Sequence, residues 1–172
     1  MDDILIRPIA ANEYGVLEKF LYESLHVPPG HAPFAWDIIY QPEIYVYIKD
    51  FGNPDDVCYV AEIDGQIVGA AYSRILAEPD IRGFGNIDAD TPELAISVLS
   101  EHRGQGIGKK LLDALHNELT RRGYPRISLS VQKTNPALRL YERAGYIVVE
   151  EQETDFLMVK QLQGCGVRSV CG

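Results

Sequence analysis

Leu17, Phe20, Leu21 and Leu25 recur at three- and four-residue spacings behind Asn12, which predicts a helix with one apolar face. The same stripe returns in Ile107, Leu111, Leu112, Leu115 and Leu119. Lys109, Asp113, Glu118, Arg121 and Arg122 lie on its opposite side and Gly123 is a natural C-terminal cap. Elsewhere the pattern is that of strands. Residues 4–7 read as an opening strand stopped by Pro8, and residues 57–63 and 66–76 as two strands joined by Asp64-Gly65, a two-residue hairpin signal. Residues 94–99 form a largely apolar strand, and Ile127, Leu129 and Val131 alternate with Ser128, Ser130 and Gln132 in a strand with unlike faces.

Between these elements, residues 26–42 (with Pro28, Pro29, Gly30 and Pro33) and 81–92 read as loops, and Pro42 opens a short helix over 42–51. Asn135 as N-cap, Pro136 at the first helical position and Gly145 at the end bracket another short helix, followed by strands over 146–150 and 154–160. The order βααβββαβαββ, without repeat or internal linker, describes one α/β domain with a mixed sheet over residues 1–162. Residues 163–172 form a tail without strong periodicity, read as disordered or as a dimer contact.

The densest chemical signal is Arg103-Gly104-Gln105-Gly106-Ile107-Gly108, set between the 94–99 strand and the second amphipathic helix. A glycine-rich turn at a helix start exposes N–H groups that lack intrahelical partners, and the helix dipole favours negative charge there. That is a phosphate cradle. Spacing excludes the two common kinds. A dinucleotide fingerprint needs G-x-G-x-x-G, whereas the glycines here fall at 104, 106 and 108, with Lys109 where the third belongs. A P-loop needs G-x-x-x-x-G-K-[ST], whereas Arg103 replaces its first glycine and Lys110 its hydroxyl residue.

The remaining pattern, R-x-x-G-x-G after a strand, resembles the pyrophosphate-binding motif of the GNAT superfamily of acyl-CoA-dependent N-acetyltransferases. Asn135-Pro136-Ala137-Leu138-Arg139-Leu140-Tyr141-Glu142-Arg143-Ala144-Gly145-Tyr146 resembles that family's second signature, N-x-x-A-x-x-L-Y-E-x-x-G-[FY], in the expected order and with one residue fewer between Asn135 and Ala137. The resemblance runs from about residue 4 to about residue 162, and before Tyr59 it holds only in general pattern. It implies a mixed, mostly antiparallel sheet flanked by helices, whose two central strands splay apart to take the pantetheine arm of acetyl-CoA. It implies pantetheine contacts from the backbone of Val98 and Leu99. The pyrophosphate would be held by the N–H groups of Gly104, Gln105, Gly106 and Gly108, with Arg103 framing the turn, Lys109 adding positive potential and Asn135 on the cofactor side.

The implied reaction sets its own requirements. An alkyl ammonium with a pKa near ~10.4 must lose a proton before it attacks a thioester, and a leaving thiol with a pKa of ~8.5 gains from a donor. Tyr141 occupies the family's donor position. Glu93, heading the strand before the cradle, is the expected base, with Asp88, Asp90 and Glu62 as competitors. Ser100 stands where relatives frequently have Pro, which removes no backbone donor. The alternatives are an acyl-CoA-binding module without chemistry and a nucleotide-binding protein disfavoured by the glycine spacing.

Charge narrows the partners. Lys plus Arg number 16 against 25 Asp plus Glu, a net charge of -9, so the overall field repels nucleic acid and favours a cationic acceptor. Glu78, Asp80, Asp88, Asp90 and Glu93, with Phe34, Trp36, Tyr40 and Phe84, point the same way, toward a cationic small molecule or a lysyl or N-terminal amine. Cys58, Cys165 and Cys171 are an odd set without metal-ligand spacing, and His26, His31, His102 and His116 are scattered, so no metal is expected. No apolar run approaches the ~18 residues of a membrane span, and Met1-Asp2-Asp3 has the wrong charge for a signal peptide. A cytoplasmic location is expected, with no membrane partner and with homodimerisation left open.

Overall fold

The computed structural model describes residues 3–162. The Cys165 and Cys171 tail lies outside them, and Cys58 is a buried free thiol. Seven strands, β1 (Leu5–Pro8), β2 (Val57–Ile63), β3 (Gln66–Arg74), β4 (Glu93–Val98), β5 (Arg126–Gln132), β6 (Ile147–Glu151) and β7 (Asp155–Gln161), make one sheet in the order β1-β2-β3-β4-β5-β7-β6. Every neighbouring pair is antiparallel except β4 and β5. The helices are α1 (Leu17–Ser24), α2 (Pro42–Tyr45), α3 (Ile107–Arg121) and α4 (Leu138–Arg143).

Asp64 and Gly65 both have positive φ, 50° and 78°, the two-residue turn whose twist matches its flanking strands. Successive β4 residues point to opposite faces and so fix the layers. Ser97 Oγ donates to the Phe20 carbonyl of α1 at 2.7 Å, while Val98 lies beside Leu111 of α3 against Gly69. Leu17, Phe20 and Leu21 are buried on the first side, and Ile107, Leu111, Leu112, Leu115 and Leu119 on the second. Among the described residues no helix is long and apolar enough to cross a membrane.

Four boundaries differ from the sequence pattern. The first helix begins as a 3-10 turn, Ala11–Val16, before α1, and another 3-10 turn, Trp36–Tyr40, interrupts the expected loop. Strand β3 stops at Arg74, after which Leu76 O accepts from Gly83 N–H at 2.9 Å in a loop that folds back on itself. The helix expected over 42–51 closes after one turn. Beyond Tyr45 the chain mixes three- and four-residue hydrogen bonds, and the Arg74 guanidinium takes the carbonyls of Val46 (3.0 Å) and Lys49 (2.7 Å). Three β-branched residues, Ile44, Val46 and Ile48, give little propensity to resist that pull.

Candidate active site

The parallel strands β4 and β5 meet at a single register pair, Glu93 with Ser128, where Ser128 N–H donates to Pro92 O at 3.0 Å. Beyond it they part. On its other side β4 stays paired with β3, and there the bonds alternate along the strand. Leu99 N–H donates to Val68 O at 2.9 Å, so by alternation Ser97 and Ala95 also face β3. The N–H groups of Val98 and Ile96 are therefore turned toward β5, into the gap. The two expected backbone donors thus separate: that of Leu99 is consumed by the sheet, and that of Val98 is open. Ile96 is a further donor that alternation adds.

The glycine-rich turn follows. Gly104 and Gly106 have φ of 75° and 81°, a left-handed conformation that glycine adopts without the Cβ penalty. Both positions have open space where a Cβ would stand. None of the main-chain N–H groups of residues 104–109 meets an acceptor among the described residues, and the first N–H returned to the helix is that of Lys110, to Gly106 O at 3.2 Å. Arg103 frames this turn, its Nε donating to Val98 O at 2.8 Å. Lys109 is exposed and pairs with Asp113 at 2.7 Å along the same helix face.

Helix α4 sits beside the turn. A Cβ on Gly108 would come within 3.1 Å of Leu140, the neighbour of Tyr141. The Asn135 side chain accepts from Ala137 N–H at 2.9 Å, the expected capping bond, although regular helix begins two residues later. Tyr141 is 8% exposed, packs edge-on against Tyr146 at 5.8 Å, and burial pushes its phenol above the usual range. Its hydroxyl has no hydrogen-bond partner among the described residues. Tyr146 in turn bonds His116 of α3 at 2.7 Å, and His26 Nε2 meets Thr134 Oγ1 at 2.9 Å, tying the chain after α1 to the start of the second signature.

Glu93 is 2% exposed and lies at the closed end of the gap. Its Oε2 accepts from the Tyr47 hydroxyl and from Gly85 N–H (3.0 Å), whereas Oε1 is buried without a partner. Burial raises its carboxyl to about 7, against the opposing pull of those two bonds. Glu93 stands five residues from Val98, about 17 Å along an extended strand, but only three from Ile96, about 10 Å. The other candidate carboxylates are committed elsewhere or remote. Asp88 pairs with Arg126; burial works to raise its pKa, but hydrogen bonds from Thr91, Asp90 N–H and Arg126 outweigh that and lower it. Glu62 is held by Arg7 on β1 and β2, at the far edge of the sheet, and Asp90 is exposed.

The pattern marks 81–92 as a loop and Phe84 as an aromatic candidate, but it gives no role to Tyr47, Gly83 or Gly85. The two glycines flanking an aromatic residue were the available signal, since glycine in a loop often marks a close backbone approach. A Cβ on Gly83 would fall 2.0 Å from Glu93 Oε1, and one on Gly85 would fall 2.6 Å from Ser130 N. Tyr47, one of ten tyrosines, carried no such mark. Trp36, Tyr40 and Phe84 are exposed, Phe34 is half-buried, and Tyr40 and Tyr45 both donate to Glu18, at 3.2 and 3.3 Å.

Comparison with known proteins bears on the same elements. Residues 19–146 match the model of the Acetyltransferase (GNAT) family. Acetyltransferase SG1711 of Sodalis glossinidius (strain morsitans) is 30% identical over 123 residues, covering 70% of this chain and 75% of that protein. Mycothiol acetyltransferase of Acidimicrobium ferrooxidans is 34% identical over 93 residues, 54% of this chain, which spans only 28% of that longer protein. The fold is shared with the PaiA N-acetyltransferase of Thermoplasma acidophilum, solved in complex with coenzyme A, at 20% identity and a TM-score of 0.61, covering 92% of this chain and 99% of that one. The splayed strands, the glycine-rich turn and the matched family model lead to one assignment: this chain belongs to the GNAT acetyltransferase family.

Proposed function

We propose that the protein transfers an acetyl group from acetyl-CoA to a primary amine of a cationic small molecule or a peptide. The observation carrying this reading is the conjunction of a gap between β4 and β5, open N–H groups lining it, and six consecutive unpaired N–H groups at the adjoining start of α3. A pyrophosphate would accept from the turn. The pantetheine amides would pair with Val98 as a strand would, and Ile96 N–H would polarise the thioester carbonyl. Leu99, expected beside Val98 as a pantetheine contact, offers no donor, because its N–H is occupied.

Glu93 removes a proton from the ammonium group through an intervening water, because its burial prevents direct contact. The neutral amine attacks the carbonyl carbon, and the oxyanion is held by the backbone donor. As the C–S bond breaks, Tyr141 gives its proton to the departing sulfur and regains one from the nitrogen through water. A phenol kept neutral by burial is suited to that donation. The exposed ring of Tyr40, hydrogen-bonded to Glu18, supports a cationic acceptor through a ring face and a carboxylate acting together, and Trp36 and Phe84 are further exposed rings.

The test is CoA release from acetyl-CoA, followed with a thiol reagent, against polyamines, amino acids and peptide N-termini, with a Cys-to-Ser version as background control. Release dependent on one amine class establishes the transferase and names its acceptor. Tight acetyl-CoA binding without release for any amine supports a binding module instead.

A further inference from the structure

Glu93 accepts two hydrogen bonds on one carboxylate oxygen and none on the other, and the donor directions account for the difference. Phe84 N–H donates to the Tyr47 hydroxyl oxygen at 2.9 Å, so the single hydrogen of that hydroxyl is directed to Glu93 Oε2. Gly85 N–H fills a second site on the same oxygen. A proton arriving on Oε2 would displace one of these donors, whereas a proton arriving on the unpartnered Oε1 disturbs neither.

We propose that Tyr47 is the positioning residue of the base: its hydroxyl, pinned by the Phe84 N–H, clamps one oxygen of Glu93, so that the proton from the substrate amine lands on the other. The inference rests on the reading of Glu93 as the base. In the step, an N–H bond of the ammonium breaks, the intervening water takes that proton and gives one of its own to Oε1, and the positive charge on nitrogen and the negative charge on the carboxylate disappear together. Among the described residues no other charged group competes for the carboxyl. On β3, Arg74 faces Glu93 in register but is bound to Asp56 and to backbone carbonyls. On β5, Arg126 is bound to Asp88, and Ser128 is neutral. The Gly83-Phe84-Gly85 loop presents only backbone and an aromatic ring, stacked on Tyr47 at 6.4 Å.

Tyr47→Phe keeps the ring and its stacking and removes only the donor. The acid limb of kcat/KM is expected to move upward by about one to two pH units, the scale of a hydrogen bond to a charged group. From a carboxyl near 7, activity at pH 7 then falls roughly 5- to 50-fold and returns at alkaline pH, with an unchanged KM for acetyl-CoA. A merely structural tyrosine would lower activity at every pH alike. Carbon-13 titration of the Glu93 carboxyl, assigned by its loss in Glu93→Gln, must move with the rate limb. An unmoved carboxyl titration in Tyr47→Phe overturns the proposal. If the carboxyl moves and the rate limb does not, or if Glu93→Gln keeps full turnover, the base reading itself has failed. Should Tyr47→Phe not fold, 3-fluorotyrosine at position 47, a more acidic donor, must shift both profiles downward, and no shift again overturns it.

Discussion

At Tyr141 the proposed chemistry depends on a single oxygen in an otherwise apolar setting. Removing that oxygen as Tyr141→Phe leaves the packing on Tyr146 in place and is expected to lower kcat about 100-fold at unchanged acetyl-CoA affinity, checked by steady-state kinetics beside calorimetry. Lys109→Ala should change CoA affinity less than twofold, because the ammonium already answers Asp113. The placement of such residues was legible in the sequence where a motif fixed it, as with Tyr141 on the helix beside the turn and Arg103 framing it. Leu99 was not separable from Val98, because the direction of an N–H depends on register with β3, which no local pattern encodes. Tyr47 was invisible for a similar reason, since its partner lies 46 residues away.

At the level of elements, the glycines divide by what surrounds them. Gly106→Ala meets open space, so its cost is the left-handed backbone, about 1–2 kcal/mol, and a melting point lower by a few degrees. CoA should nevertheless bind about tenfold more weakly, because the turn's N–H groups lose their common direction. Gly85→Ala is the reverse case. Its Cβ would strike Ser130 N at 2.6 Å and Leu129 C at 2.7 Å, which is expected to cost about 3 kcal/mol in denaturant unfolding. The strands and long helices followed from hydrophobic periodicity, since each buries one face. The loops over residues 42–51 and 76–92 did not, because their shapes are set by Arg74 and Glu93, side chains of strands they reach only after folding.

For the molecule as a whole, two buried groups set opposing dependences on pH. Burial, aided by Lys160, lowers His116 from 6.5 to about 4, so its contribution is complete above 6.5 and is lost as pH falls toward 4. Burial raises Glu93 from 4.5 to about 7, so its contribution is complete below 4.5 and is lost as pH rises toward 7. Over the shared window of 4.5 to 6.5 the two slopes oppose each other, and denaturant titrations of the native protein should show little change from this pair. Glu93→Gln should lose about 2–3 kcal/mol on acidification across that window, and His116→Gln should gain a similar amount. The single Glu93–Ser128 pair has another consequence at this scale. It makes the sheet a four-strand and a three-strand leaf joined at one point, and β4 carries the free margin of the first leaf. Amide exchange along β4 should accordingly alternate in the unliganded protein, slow at Ala95, Ser97 and Leu99 and fast at Ile96 and Val98. If CoA completes the margin as a surrogate strand, it should erase that two-residue rhythm, so the exchange pattern of one strand would record the arrival of the cofactor.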